Sequence, residues 1–219
     1  MLSRCEGALA EGGEVDVAAL GFWKAVAAIK RHPEWVDDLG RRVGEIDRQA
    51  FERWALLKVP ARWGTLLMVS GTLLGLLLIG LAYGYEGFGQ AALLLIGTGV
   101  IMVTTHGLAH LLVGSLQGMT ITDWFIGSIK QPQPGVKVDY DSYLRVPAGQ
   151  RAWMHASGAI LTKLVPLVGL GAGLAMNADA WALWLLALVA VAQVVTDIAW
   201  STKASDWKKF KRERRFARS

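Results

Sequence analysis

The sequence predicts an all-α polytopic membrane protein with four transmembrane helices, a cytosolic helical N-terminal module and a small β-like insertion. Three observations carry this. The 53% of hydrophobic residues are gathered into long runs instead of being scattered. The basic residues fall almost entirely outside those runs. One β-branched and aromatic stretch interrupts the helical pattern in the central loop.

From the N-terminus, residues 1–15 are rich in Gly, Ala and Glu and read as loosely ordered. The first thirty residues hold acids at Glu6, Glu11, Glu14 and Asp16 and no continuous apolar core of signal-peptide type. The lone Cys5 has no internal disulfide partner, which fits a reducing compartment. Asp16 is expected to cap a helix running to about Arg31, and Pro33 punctuates the chain after it. From Pro33 through Lys58, Trp35, Leu39, Val43, Ile46, Phe51, Trp54 and Leu57 recur at helical spacing among charges, and Pro60 closes the stretch. Residues 1–61 are therefore expected to form the helical module.

A bilayer-spanning helix needs about 20 apolar residues. Runs at Trp63–Tyr85, Gln90–Leu116, Ala152–Met176 and Ala180–Trp200 meet this and define a membrane domain over residues 62–201. Within its 117–151 insertion, Met119–Ile126 favours a strand and Val136–Arg145 a returning one, with Gln131–Gly135 as the turn. Such a hairpin offers an edge to an extended peptide. Residues 202–219 form a basic tail, and Lys203–Arg218, with Trp207, Phe210 and Phe216, reads as an interfacial amphipathic helix.

The distribution of cations gives the orientation. Ten of the 23 Lys and Arg precede the first span, four lie in the central loop and eight in the tail, while the two short connections have none. By the positive-inside rule both termini and the central loop face the cytosol. The net charge of +5 then reflects topology and contact with anionic headgroups, and nucleic acid is excluded as a partner. The partners expected are the lipid bilayer and a transmembrane or extended-peptide protein, with the oligomeric state left open.

Ionisable groups inside spans are costly and tend to be functional. His106 and His110 stand at i and i+4 on the second span, a spacing that lets both imidazoles reach one metal ion. They lie about 15 and 9 Å from Leu116 along the helix axis. Asp197, near the same end of the fourth span, is the expected third ligand. His155, Gln193, Asp123 and Lys163 are auxiliary candidates. Two alternatives stand beside this: histidines hydrogen-bonded between helices, and an ion pair between Asp197 and Lys163.

The order of these features resembles the site-2 protease family of intramembrane zinc metalloproteases. The matching stretches are His106-Gly-Leu-Ala-His110 for the metal-binding HExxH, Gly118–Gly127 for the strand region, Ala156-Ser-Gly-Ala-Ile160 with Thr162 near the family's Asn, and Asp197 in Val195-Thr-Asp-Ile198. The resemblance covers about residues 90–200 and implies a zinc site at His106, His110 and Asp197. Gly107 stands where the family has its catalytic glutamate, Ala159 replaces a proline, and Ile198 replaces the glycine after the ligand aspartate. Losing the glutamate removes a general base, worth about 10²–10⁴-fold. The expectation is a degenerate or atypical metalloprotease homologue, with a non-catalytic scaffold using the same cleft as the alternative. A shorter match, His155-Ala-Ser-Gly-Ala-Ile160, resembles the serine motif of rhomboid proteases with Ser157 as nucleophile, but no histidine follows position 155.

Overall fold

The computed structural model describes residues 1–12, 15–129, 132, 134–199 and 205–218, with the Ile198 side chain left aside. Glu14, Lys130, Gln131 and Gln133 of the expected turn, Trp200 at the expected end of the fourth span and Lys203 at the start of the tail lie outside these residues. The chain is mostly helical and divides into two compact units: Met1–Ala61 with Gly114–Ala152 and Arg212–Ser219, and Arg62–Val113 with Trp153–Lys211.

The first unit is built from α1 (Leu2–Glu11), α2 (Phe22–Arg31), α3 (Val36–Trp54), α6 (Tyr140–Arg145) and a three-stranded sheet. The expected loose N-terminus is instead a helix, because Leu2, Cys5 and Leu9 line one face and bury among Phe22, Val26, Ile29, Val43 and Ile46. Asp16 caps a turn, its Oδ1 accepting from the amides of Ala18 and Ala19. The following helix is thus delayed until Phe22, after Gly21 at φ 89°. Gly40 and Gly44 on α3 let α6 approach: a Cβ on Gly44 would lie 3.1 Å from the Asp141 amide.

β1 (Leu57–Pro60), β2 (Ile121–Ile126) and β3 (Pro134–Val138) pair antiparallel in that order, with Leu57 opposite Ile126 and Trp124 opposite Val136. The sequence pointed to two strands. Leu57 and Lys58 leave the helical stripe for β1 because Leu56 and Leu57 find the edge of β2, and Phe51 and Trp54 stack edge-on against Phe125 at 5.1 and 5.7 Å. The return strand ends at Val138, since Asp139 accepts from the Ser142 amide at 2.8 Å and starts α6.

Deep in this unit Glu213 is fully buried and accepts from Lys30 Nζ at 2.5 Å and Arg151 Nε at 2.8 Å. Burial pushes the Lys30 ammonium down to about 8, against the opposing pull of Glu213.

In the second unit α4 (Ala61–Ala82), α5 (Gly87–Leu116), α7 (Ala148–Ala175) and α8 (Ala180–Ala199) are, among the described residues, long and apolar enough to cross a membrane. They make this a multi-pass membrane chain. Leu66, Leu67, Leu73, Leu74, Leu76 and Leu77 of α4 are exposed on the isolated chain, as lipid-facing residues are. Small residues close the seam between α4 and α5: a Cβ on Gly75 would lie 2.8 Å from the Gly97 carbonyl, and Thr72 and Thr104 share a hydrogen bond of 2.8 Å. α9 (Asp206–Phe216) is the last helix among the described residues.

Candidate metal centre

His106 and His110 project from α5 toward α7, where Gly158 leaves the space that the His110 ring occupies. A Cβ on Gly158 would lie 2.7 Å from His110 Cε1. Each ring is held at Nδ1. His110 Nδ1 lies 2.7 Å from the Met154 carbonyl, and His106 Nδ1 lies 2.7 Å from Thr162 Oγ1.

These partners fix where the ring protons are. A carbonyl has no proton to give, so His110 Nδ1 must donate to Met154. The Thr162 hydroxyl donates its single proton to the Gly158 carbonyl at 2.7 Å, so it can only accept from His106 Nδ1. In neutral rings both Nε2 atoms therefore carry a bare lone pair.

The two Nε2 atoms face each other at 3.3 Å, and Asp206 Oδ2 completes a triangle at 3.3 Å from His106 and 3.2 Å from His110. Tetrahedral zinc with bonds of about 2.0–2.1 Å has ligand atoms about 3.3 Å apart. The triangle matches that edge, and the three residues are the group able to hold a metal ion among the described residues. The Nδ1 bonds are those that orient histidine ligands.

Asp206 opens α9, and its other oxygen, Oδ1, is approached by Lys209 Nζ at 3.4 Å. His110 is buried, whereas His106 is partly open.

Of the three expected ligands, the structure brings His106 and His110 together, with Asp206 and not Asp197 beside them. Asp197 is ion-paired with Lys163, whose Nζ also donates to the Ala159 carbonyl at 3.1 Å. A carboxylate bound to an ammonium in an apolar span is already neutralised, and the group at the histidines takes Asp206 instead. Gln193 donates to Met102 Sδ at 2.9 Å. His155 is half-buried on α7 and Asp123 lies on β2; neither belongs to the triangle. Ser157 Oγ donates to the Met154 carbonyl at 2.7 Å, so its proton is committed to backbone as the rhomboid-like alternative would not have it. Gly107 is buried on α5.

Asp206, the carboxylate that the structure brings to the histidines, is not among the residues the sequence pattern singles out. A signal existed: the tail's two acids, Asp206 and Glu213, are seven residues apart and share one helix face with Phe210, in a segment where every other charge is basic. Compared with known protein families, with curated proteins and with solved structures, the chain matches none.

Proposed function

We propose that this chain is a site-2-protease-like intramembrane metal-binding protein, with His106, His110 and Asp206 as ligands and zinc as the metal. One observation carries the reading. Three lone-pair-bearing atoms converge at 3.2–3.3 Å with the Nδ1 protons turned away, an arrangement that calls for a cation among them. Three protein ligands are the complement of a catalytic zinc site with one position open. When bound, zinc supplies a Lewis acid there.

The chain's own residues hold rather than transfer. Thr162 and the Met154 carbonyl keep both histidines in the Nε2-presenting tautomer. Gly158 admits the His110 ring, and Lys209 steadies the second Asp206 oxygen. Gly107 leaves α5 without the carboxylate that ordinary metal-assisted hydrolysis uses as its base. The protein is therefore read as a degenerate or atypical metalloprotease homologue. Gly107 also favours the second reading, a non-catalytic scaffold that binds a transmembrane or extended-peptide partner in the same membrane domain. Both termini, the N-terminal module and the sheet-bearing insertion are assigned to the cytosolic side, supported by the 22 of 23 basic residues outside the span interiors.

Elemental analysis and cleavage of a model membrane peptide, on wild type and His106→Ala, test this. One equivalent of metal in the wild type and none in the variant is the expected result. Metal-dependent cleavage by the wild type would overturn the degenerate reading. Absence of metal from freshly purified, metal-supplemented wild type would overturn the metal reading and favour the scaffold.

A further inference from the structure

The charges of α9 are sorted by face. Its two acids are both engaged within the protein: Asp206 faces His106 and His110, and Glu213 accepts from Lys30 and Arg151. Seven residues apart, they lie on one side of the helix two turns from each other. The opposite side presents Lys208, Lys211, Arg212 and Arg215, all exposed, with no acid among them.

The contacts of Asp206 set the depth of the first turn of α9. His110 is six residues before the end of α5, about 9 Å along its axis, so the first turn of α9 lies at the end of a span. Trp207 and Phe210, half-buried and packed against each other at 5.4 Å, and Phe210 against Trp153 at 5.7 Å, give this end the aromatic residues favoured at the membrane–water boundary. A helix held there, with its cations turned out, meets headgroups.

We propose that the outer face of α9 is a docking surface for an anionic lipid bilayer, the headgroup phosphates being the partner of its exposed cations. Charge complementarity supplies the choice of occupant: each Lys or Arg near an anionic surface adds attraction that fades within a Debye length. The inner face meanwhile presents Asp206, so the helix that reads the lipid also carries a ligand of the metal centre. Docking to lipid does not depend on the metal reading, and metal-free protein is expected to dock equally.

The test uses the full chain carrying Cys5→Ser and Lys211→Cys, reconstituted in vesicles of phosphatidylcholine alone or mixed with phosphatidylglycerol. The rate of labelling by an uncharged water-soluble maleimide is followed at low and high salt. At low salt labelling is expected to be about tenfold slower or more with phosphatidylglycerol, the scale set by several cations near a charged surface, and to recover at high salt. Equal rates in the two vesicles at low salt would overturn the proposal. So would equal protection in phosphatidylcholine vesicles by an added oligonucleotide, which would make the face a nucleic-acid surface. Lipid-dependent protection of a protein that holds no metal would count against the metal reading alone.

Discussion

The two aspartates can be set against each other by replacing each with asparagine. In Asp206→Asn the carboxylate that stands 3.2 and 3.3 Å from the histidine Nε2 atoms becomes a neutral amide, so one of three ligand atoms loses its charge. Removing a group that merely orients a ligand costs about 10–100-fold in metal affinity. Losing a ligand must cost more, so zinc is expected to bind over 100-fold more weakly, a change above about 2.7 kcal/mol. Asp197→Asn leaves the triangle whole and is expected to keep zinc affinity within about twofold. It strands Lys163, which loses its only carboxylate partner among the described residues. Because that pair is 20% and 30% exposed, the stability loss should fall below the about 3–5 kcal/mol of a fully buried broken pair. Competition with a chelator in detergent or nanodiscs measures affinity, and the thermal midpoint measures stability. Zinc lost from Asp197→Asn and retained by Asp206→Asn would refute the assignment and return the site to the fourth span.

Other outcomes follow from the same contacts. Thr162→Val removes the oxygen that accepts from His106 Nδ1, and metal affinity should fall about 10–100-fold with the fold intact by circular dichroism. Glu213→Gln leaves Lys30 and Arg151 facing each other in the interior. A loss of about 3–5 kcal/mol is expected in a denaturation series, with part recovered in Glu213→Gln/Lys30→Met. Lys30 in the folded chain releases its proton at about 8 rather than at 10.5, so between these values the unfolded chain binds more protons and stability should rise with pH. Lys30→Met should flatten that slope, and an unchanged slope would place the titrating group elsewhere.

The spans were legible because hydropathy is a local property. α5 ends at Leu116 as its apolar run does, and α7 and α8 lie within a few residues of theirs. The histidine pair was legible for the same reason, since i and i+4 on a helix are neighbours whatever surrounds it. What escaped depends on distant partners. Leu57-Lys-Val-Pro60 continues a helical stripe until β2, more than 60 residues on, offers its edge. The N-terminal segment looks featureless until Leu2, Cys5 and Leu9 meet the core of α2 and α3. Asp206 stands at the head of a run of cations whose topogenic role accounts for the composition by itself. Only the fold, which brings it 96 residues back to His110, gives the carboxylate its meaning.

The proposed metal and a shared proton place different demands on the triangle. A proton placed between an imidazole and Asp206 makes one charge-assisted bond, which contracts to about 2.7–2.9 Å and leaves the other edges unsatisfied. A proton between the two imidazoles likewise serves one edge. The edges here are nearly equal at 3.3, 3.3 and 3.2 Å, and the Nδ1 protons are already spent on Thr162 and Met154. Equal edges are what the proposed metal, attracting all three atoms alike, would give. The aspartate from α9 supports the same conclusion: two neutral imidazoles and a carboxylate leave one negative charge among three lone pairs, and a divalent cation satisfies every atom at once. The i, i+4 histidine pair is thus joined to an acid from a different helix. That acid, the third ligand of the proposed site, sits on the helix proposed to read the lipid surface and not on the fourth span.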